Sequence, residues 1–279
     1  MTDKETEKKK KKREDGEEKK VGEERKVAEG EGEGEGEREV RIEVLVFEGC
    51  PHVSQALEMA RDVATRLGPD VSVRRVDVDT EEKAEELDFR GSPTLRVAGE
   101  DVELADKERR DVGALREKPV GLGCRTYEGG AGVPPRWMVE AAVLRALQPK
   151  GLLFMCVANA ARSQMAEGIA RSLAPPHIKI WSAGSMPAGV RPEAIAVLDE
   201  IGIDISGQRS KDVSEVPAME VDTAITLCSE EECPLFIGEA RRLDWPMYDP
   251  VRALGQEARI RAFRAARDEL RRRIGAIFR

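Results

Sequence analysis

From Arg41 onward apolar residues alternate with polar ones at Ile42, Val44 and Val46, the period of a half-buried strand. After Gly49-Cys50-Pro51 the period changes. Val53, Leu57, Ala60, Ala64 and Leu67 fall on one helical face, which predicts a helix. A second strand over 71–78, an acidic helix near 80–87, the turn Gly91-Ser92-Pro93-Thr94 and a short hairpin through 95–104 follow. Residues 105–132 carry glycines and charges without a period and read as an irregular loop, and a helix over 136–148 closes this unit.

The next strand, 152–155, is apolar at every position, as expected of a strand buried on both faces of a parallel sheet. Helix 162–173, strand 178–182, helix 192–201, strand 223–227, a short strand at 243–245 and a terminal helix over 256–277 complete an alternating order. The terminal helix places Ile260, Phe263, Leu270 and Ile274 on one face. This order predicts an α/β fold with a doubly wound parallel sheet. The 279-residue chain thus divides into a segment 1–40, an α/β unit 41–148 and a second α/β unit 151–279, joined at Pro149-Lys150-Gly151.

Composition alters the picture mainly at the N-terminus. Residues 1–40 mix Lys and Glu, include the basic run Lys8 to Arg13 and end in a Gly/Glu repeat, so they read as a disordered, solvated tail with nothing to bury. A net charge of −8 argues against nucleic acid as a partner. No run of 18 apolar residues and no signal-type apolar segment occurs, so the expectation is no membrane span and a cytoplasmic location. Five cysteines, an odd number, argue for thiols with individual chemical roles, and two histidines are too few for a His-rich metal site. No metal and no cofactor are expected.

The densest chemistry lies where the first strand of the second unit ends, in Cys156-Val157-Ala158-Asn159-Ala160-Ala161-Arg162-Ser163. At a strand-to-helix turn the N–H groups of such a loop point inward and the helix adds its N-terminal partial charge, making a cradle for a tetrahedral oxyanion over residues 157–163. The same field favours the thiolate of Cys156, which is the nucleophile. Arg162 is placed to grip two oxygens in a planar fork, which a lysine does not reproduce.

The string CVANAARSQMAEG, with Ser182-Ala183-Gly184 after the following strand, resembles the phosphate-binding loop of the low-molecular-weight tyrosine phosphatase superfamily, and Asp249-Pro250 resembles its general-acid position. The resemblance implies a flavodoxin-like sheet. It also implies that Asn159 holds the loop in an unusual backbone conformation, that Ser163 bonds the thiolate, and that Asp249 protonates the leaving oxygen. Cys228 and Cys233 follow the strand 223–227, at the same carboxyl edge of the sheet as Cys156. Together with Ser210-Lys211 and Trp245-Pro246 they resemble the redox part of the arsenate reductases in that superfamily. The implied cycle forms a Cys156 thiol–arsenate adduct, then a Cys156–Cys228 disulfide with release of arsenite. A Cys228–Cys233 disulfide follows, for a thioredoxin- or glutaredoxin-type reductant to reduce. Two other readings stay open: a tyrosine phosphatase using Cys156, Arg162 and Asp249, and a non-catalytic arsenite binder.

In the first unit, Cys50-Pro51-His52-Val53 at a strand-to-helix turn and Ser92-Pro93-Thr94 before a later strand resemble the thioredoxin fold. Pro93 is a candidate cis-proline there. Val53 stands where a dithiol thioredoxin has its second cysteine. Cys124, in Gly121-Leu122-Gly123-Cys124-Arg125, is therefore the candidate accessory redox partner of Cys50, and the fused unit a candidate donor to Cys228–Cys233. His52 reads as a loop or cap residue.

Overall fold

The computed structural model describes residues 39–104, 120–229, 236 and 238–278; the tail and Cys233 lie outside them. Residues from 37 onward form one compact unit. Its first sheet contains β1 (Val40–Val46), β2 (Val71–Asp77), β3 (Thr94–Val97) and β4 (Glu100–Asp101) in the order β2-β1-β3-β4. β1 and β2 are parallel, as the intervening helix α1 (Val53–Leu67) requires. β3 returns antiparallel to β1, with Leu45 opposite Thr94, and the Ser92–Pro93 peptide is cis.

The acidic helix α2 (Glu81–Glu86) starts at Thr80, whose hydroxyl accepts from the Lys83 N–H. Of the loop over 105–132, residues 120–132 are mostly irregular, with a short 3₁₀ turn at Glu128–Gly130. Helix α3 (Arg136–Leu147) follows. It is apolar nearly all round, and it is enclosed nearly all round: α1, β1 and β3 pack on one side and the C-terminal helix on the other.

The second sheet has β5 (Gly151–Met155), β6 (Lys179–Ala183), β7 (Thr223–Thr226) and β8 (Arg241–Asp244), all parallel, in the order β6-β5-β7-β8. Helices α4 (Arg162–Leu173), α5 (Pro192–Asp199) and α6 (Gln256–Phe278) complete it. Leu152, Phe154, Ile225 and Leu243 face α4 and α6, in an apolar core continuous with that of the first sheet through α3. On the other face Leu153, Met155 and Ala224 pack against Val216, Val221 and Phe236, so the 213–221 segment with its 3₁₀ turns covers it. β5, buried at every residue, thereby sits mid-sheet and delivers Cys156 to the carboxyl edge. No helix among the described residues is long and apolar enough to cross a membrane.

Candidate active site

The loop between β5 and α4 is held by its carbonyls. Val157 O accepts from the Met186 N–H at 2.9 Å, Ala158 O from Ala188 at 3.1 Å and Ala160 O from Arg191 at 2.9 Å, while Asn159 O accepts from the Ser210 hydroxyl at 2.6 Å. In a trans peptide the N–H points opposite the C=O. Four carbonyls tied outward therefore turn the following N–H groups, of residues 158–161, toward the loop centre. Among the described residues no protein acceptor takes these N–H groups, and α4 begins directly behind them. Gly184 lets the loop close: a Cβ there would lie 2.4 Å from Val157 O and 2.6 Å from Cys156 O.

Asn159 has φ +42°, in the left-handed region. Its side chain holds it there. Nδ2 donates to Ser163 Oγ and to Ser182 Oγ, both at 2.9 Å, and Oδ1 accepts from Gln164 Nε2 and the Lys211 N–H, both at 2.8 Å. All four hydrogen-bonding positions of the amide are filled. Ser163 Oγ in turn lies 3.0 Å from Cys156 Sγ, and Cys156 is 3% exposed.

Arg162 is the first residue of α4 and is buried. Its Nη1 donates to the carbonyls of Leu227 and Met247, each at 3.2 Å, and Nη2 donates to Asp249 Oδ2 at 3.1 Å. Its Nε–H and one Nη2–H carry no bond among the described residues, which leaves a forked pair of donors for an anion. Asp249 also caps the turn at Pro250–Arg252, its Oδ1 accepting from the Val251 N–H at 3.1 Å.

Since Met155 pairs with Thr226, Cys156 stands opposite Leu227, one strand spacing or about 4.8 Å away, and Cys228 is the next residue. The structure thus brings Cys156, the loop 157–161, Arg162, Ser163, Cys228 and Asp249 to one edge. Cys50 and Cys124 lie elsewhere, at the end of the first sheet. No disulfide joins Cys50, Cys124, Cys156 and Cys228 to one another. His52 occupies the cap position of α1 without a side-chain cap bond, and packs against Gly132.

Two supporting residues carry no role in the sequence reading. Gln164 Nε2 bonds Asn159 and the Arg209 carbonyl, and Glu167 accepts from the Ser182 hydroxyl and from Lys211 Nζ at 3.1 Å. A signal for them exists: α4 is buried at every residue from Arg162 to Ala170, so any polar side chain in it needs partners.

Residues 151–278 match the family described as low molecular weight phosphotyrosine protein phosphatase. The arsenate reductase of Bacillus subtilis (strain 168) is 35% identical over 131 residues, 46% of this chain and 94% of that protein. The chain belongs to the low molecular weight phosphotyrosine protein phosphatase family. A second relative, the glutaredoxin arsenate reductase of Synechocystis, is 36% identical over 130 residues, covering 45% of this chain and 93% of its own. A solved structure, an arsenate reductase in oxidized state, is 33% identical over 46% of this chain and 96% of its own, with a TM-score of 0.41. Residues before 151 lie outside the match to the family, and Cys50 and Cys124 with them.

Proposed function

We propose that this chain is an arsenate reductase. One observation carries the reading: a second thiol, Cys228, follows directly on Leu227, the residue opposite Cys156 whose carbonyl helps to anchor Arg162. A hydrolase of the same scaffold needs the nucleophile, the anion cradle and an acid, but no second thiol. Both named relatives above are arsenate reductases.

In the proposed cycle the Cys156 thiolate attacks arsenic, an arsenate oxygen leaves as water with a proton from Asp249, and the cradle and Arg162 hold the remaining oxygens. The Cys228 thiolate then attacks Cys156 Sγ. The sulfur–arsenic bond breaks, its electron pair stays on arsenic, and arsenite departs. Two thiols have become one disulfide and As(V) has become As(III). Cys233 attacks Cys228 to pass the disulfide on, and a thioredoxin- or glutaredoxin-type dithiol reduces it. Thiol cycling of this kind suits a reducing, cytoplasmic compartment.

For the architecture we propose a thioredoxin-like domain over 41–148 and a flavodoxin-like phosphatase-fold domain over 151–279. The βαβ start with a returning antiparallel strand supports the first, and the all-parallel order β6-β5-β7-β8 supports the second.

Arsenate-dependent NADPH oxidation with thioredoxin and thioredoxin reductase tests the activity. Cys228→Ser is expected to abolish it while phosphate-ester hydrolysis by Cys156 persists. Arsenate turnover unchanged in Cys228→Ser would overturn the Cys156–Cys228 disulfide route, whereas phosphate-ester hydrolysis with no arsenate turnover in the wild type would transfer the assignment to a phosphatase.

A further inference from the structure

We propose that Cys50 and Cys124 form a second thiol pair that re-reduces the disulfide left on the reductase side of the same chain; this rests on the arsenate reductase reading.

Three segments meet at Ser92. The Phe47 N–H donates to Ser92 Oγ at 3.4 Å, and the Cys50 N–H turns back on Phe47 O at 3.4 Å, so Cys50 is tied to Ser92 from the β1 side. On the opposite side Ser92 forms a parallel bridge with Cys124: its N–H donates to Gly123 O at 2.7 Å, and Arg125 N–H donates to its carbonyl at 2.9 Å. Cys124 is therefore one strand spacing, about 4.8 Å, from Ser92 at the backbone. Gly91 permits the approach, since a Cβ there would stand 2.9 Å from Gly123 O.

Considerable structure goes into placing this otherwise irregular segment. Arg125 is completely buried and bonds Asp101, Glu103 and Thr94, and the Tyr127 hydroxyl donates to Pro93 O at 2.7 Å. Yet Cys124 itself is exposed. A backbone anchored on both flanks that carries a solvent-facing thiol, with a buried thiol held from the other side of Ser92, suits dithiol exchange: one sulfur to be protected, one to attack.

The placement of the two sheets completes the argument. Arg241, at the start of β8, donates to Leu67 O at 2.8 Å at the end of α1, while Arg66 meets Asp244 at the end of β8. Asp62, a turn further toward the N-terminus of α1, pairs with Arg136 at the start of α3. Helix α1 thus runs antiparallel to β8, and its N-terminus, with Cys50, points to the carboxyl edge that carries Cys156 and Cys228. Helix α3 runs the same way: its end leads into β5, and Glu140 meets Trp245 just beyond β8.

The step balances as dithiol–disulfide exchange. A thiolate of the pair attacks the disulfide that contains Cys228, forming a mixed disulfide and releasing one reductase thiolate. Its partner then closes Cys50–Cys124 and releases the second, and the two thiol protons pass to the released thiolates. Tethering supplies the donor at high effective concentration.

Arsenite yield per chain tests this. Full-length protein is reduced, freed of reductant and mixed with excess arsenate. About two arsenites per chain are expected from the wild type, one for each disulfide formed, and about one from Cys50→Ser and from Cys124→Ser. Thiol titration should then find about two residual thiols in each variant and about one in the wild type, which starts with five cysteines. Cys124 is exposed, so its variant remains informative if Cys50→Ser folds poorly. About one arsenite from the wild type overturns the inference and leaves the reductase standing, whereas none from any form removes both. A second arsenite that slows in proportion to dilution would show transfer between chains and overturn the intramolecular route.

Discussion

The Cys156 loop and the Cys124 segment hold their cysteines by opposite means. Cys156 is buried, and the groups that hold its loop are neutral: outward-tied carbonyls, the saturated amide of Asn159, and a hydroxyl at 3.0 Å from the sulfur. Cys124 is exposed and is positioned by its neighbour, the buried Arg125 with its two carboxylates. In the first, stabilising the loop and arranging the chemistry are one task, because the groups that shape the backbone surround the reacting sulfur. In the second the tasks are separate, so stability can change without touching the anion site.

The largest effect should come from Cys156→Ser, which removes the nucleophile: arsenite production should fall to background while the urea midpoint stays close to wild type. Next, Arg125→Ala removes a buried cation that bonds both Asp101 and Glu103, a change that typically costs about 3–5 kcal/mol. Denaturation should register that loss. Whatever remains folded should still give the first arsenite, and a simultaneous loss of that first turnover would dissolve the contrast between the two regions.

Away from both regions, Glu140 ties α3 to the end of β8, since its carboxylate accepts from Trp245 Nε1 at 2.8 Å. Burial pushes its pKa up from the usual 4.5 to about 7, against the opposing pull of the Trp245 hydrogen bond and of Arg136 and Arg66. The folded state therefore keeps a proton that the unfolded chain has lost, so the stability this group contributes is full below about pH 4.5 and declines as pH rises toward 7. The decline amounts to about 3–4 kcal/mol at about 1.4 kcal/mol per pH unit. Glu140→Gln should flatten the stability profile over that window, measured by denaturation at a series of pH values.

The smallest of the four is Gly184→Ala. Its methyl group would press on Val157 O and Cys156 O, and opening the loop by a fraction of an ångström should lower kcat/KM by roughly tenfold to a hundredfold. Thermal stability should shift little by comparison. An unchanged kcat/KM would mean that the loop tolerates looser closure than its packing suggests.

Much of the architecture was legible in the residues themselves. The period of two in β1, the uniform apolarity of β5 and the helical spacing of α1 and α6 each correspond to elements within two residues of their predicted bounds. The strand-to-helix turn at Cys156 was equally readable, because the spacing of Cys156, Asn159 and Arg162 is local. The partners of Asn159 were less so: Ser182 and Lys211 arrive from other strands and loops, and Gln164 and Glu167 look like ordinary polar helix residues until α4 is known to be buried from Arg162 to Ala170.

What the sequence determined by itself, then, is the set of elements and the strand-to-helix loop that starts at Cys156, since periodicity, turn chemistry and helix termini act over a few residues. Only the tertiary structure decided which distant groups meet. It set Cys228 one residue past the partner of Cys156, placed Cys124 beside Ser92, buried Glu140 against Trp245, and directed the start of α1 to the edge of the second sheet. Those outcomes depend on packing between segments far apart in the chain, where a residue's own neighbours carry no record of the surface it will face.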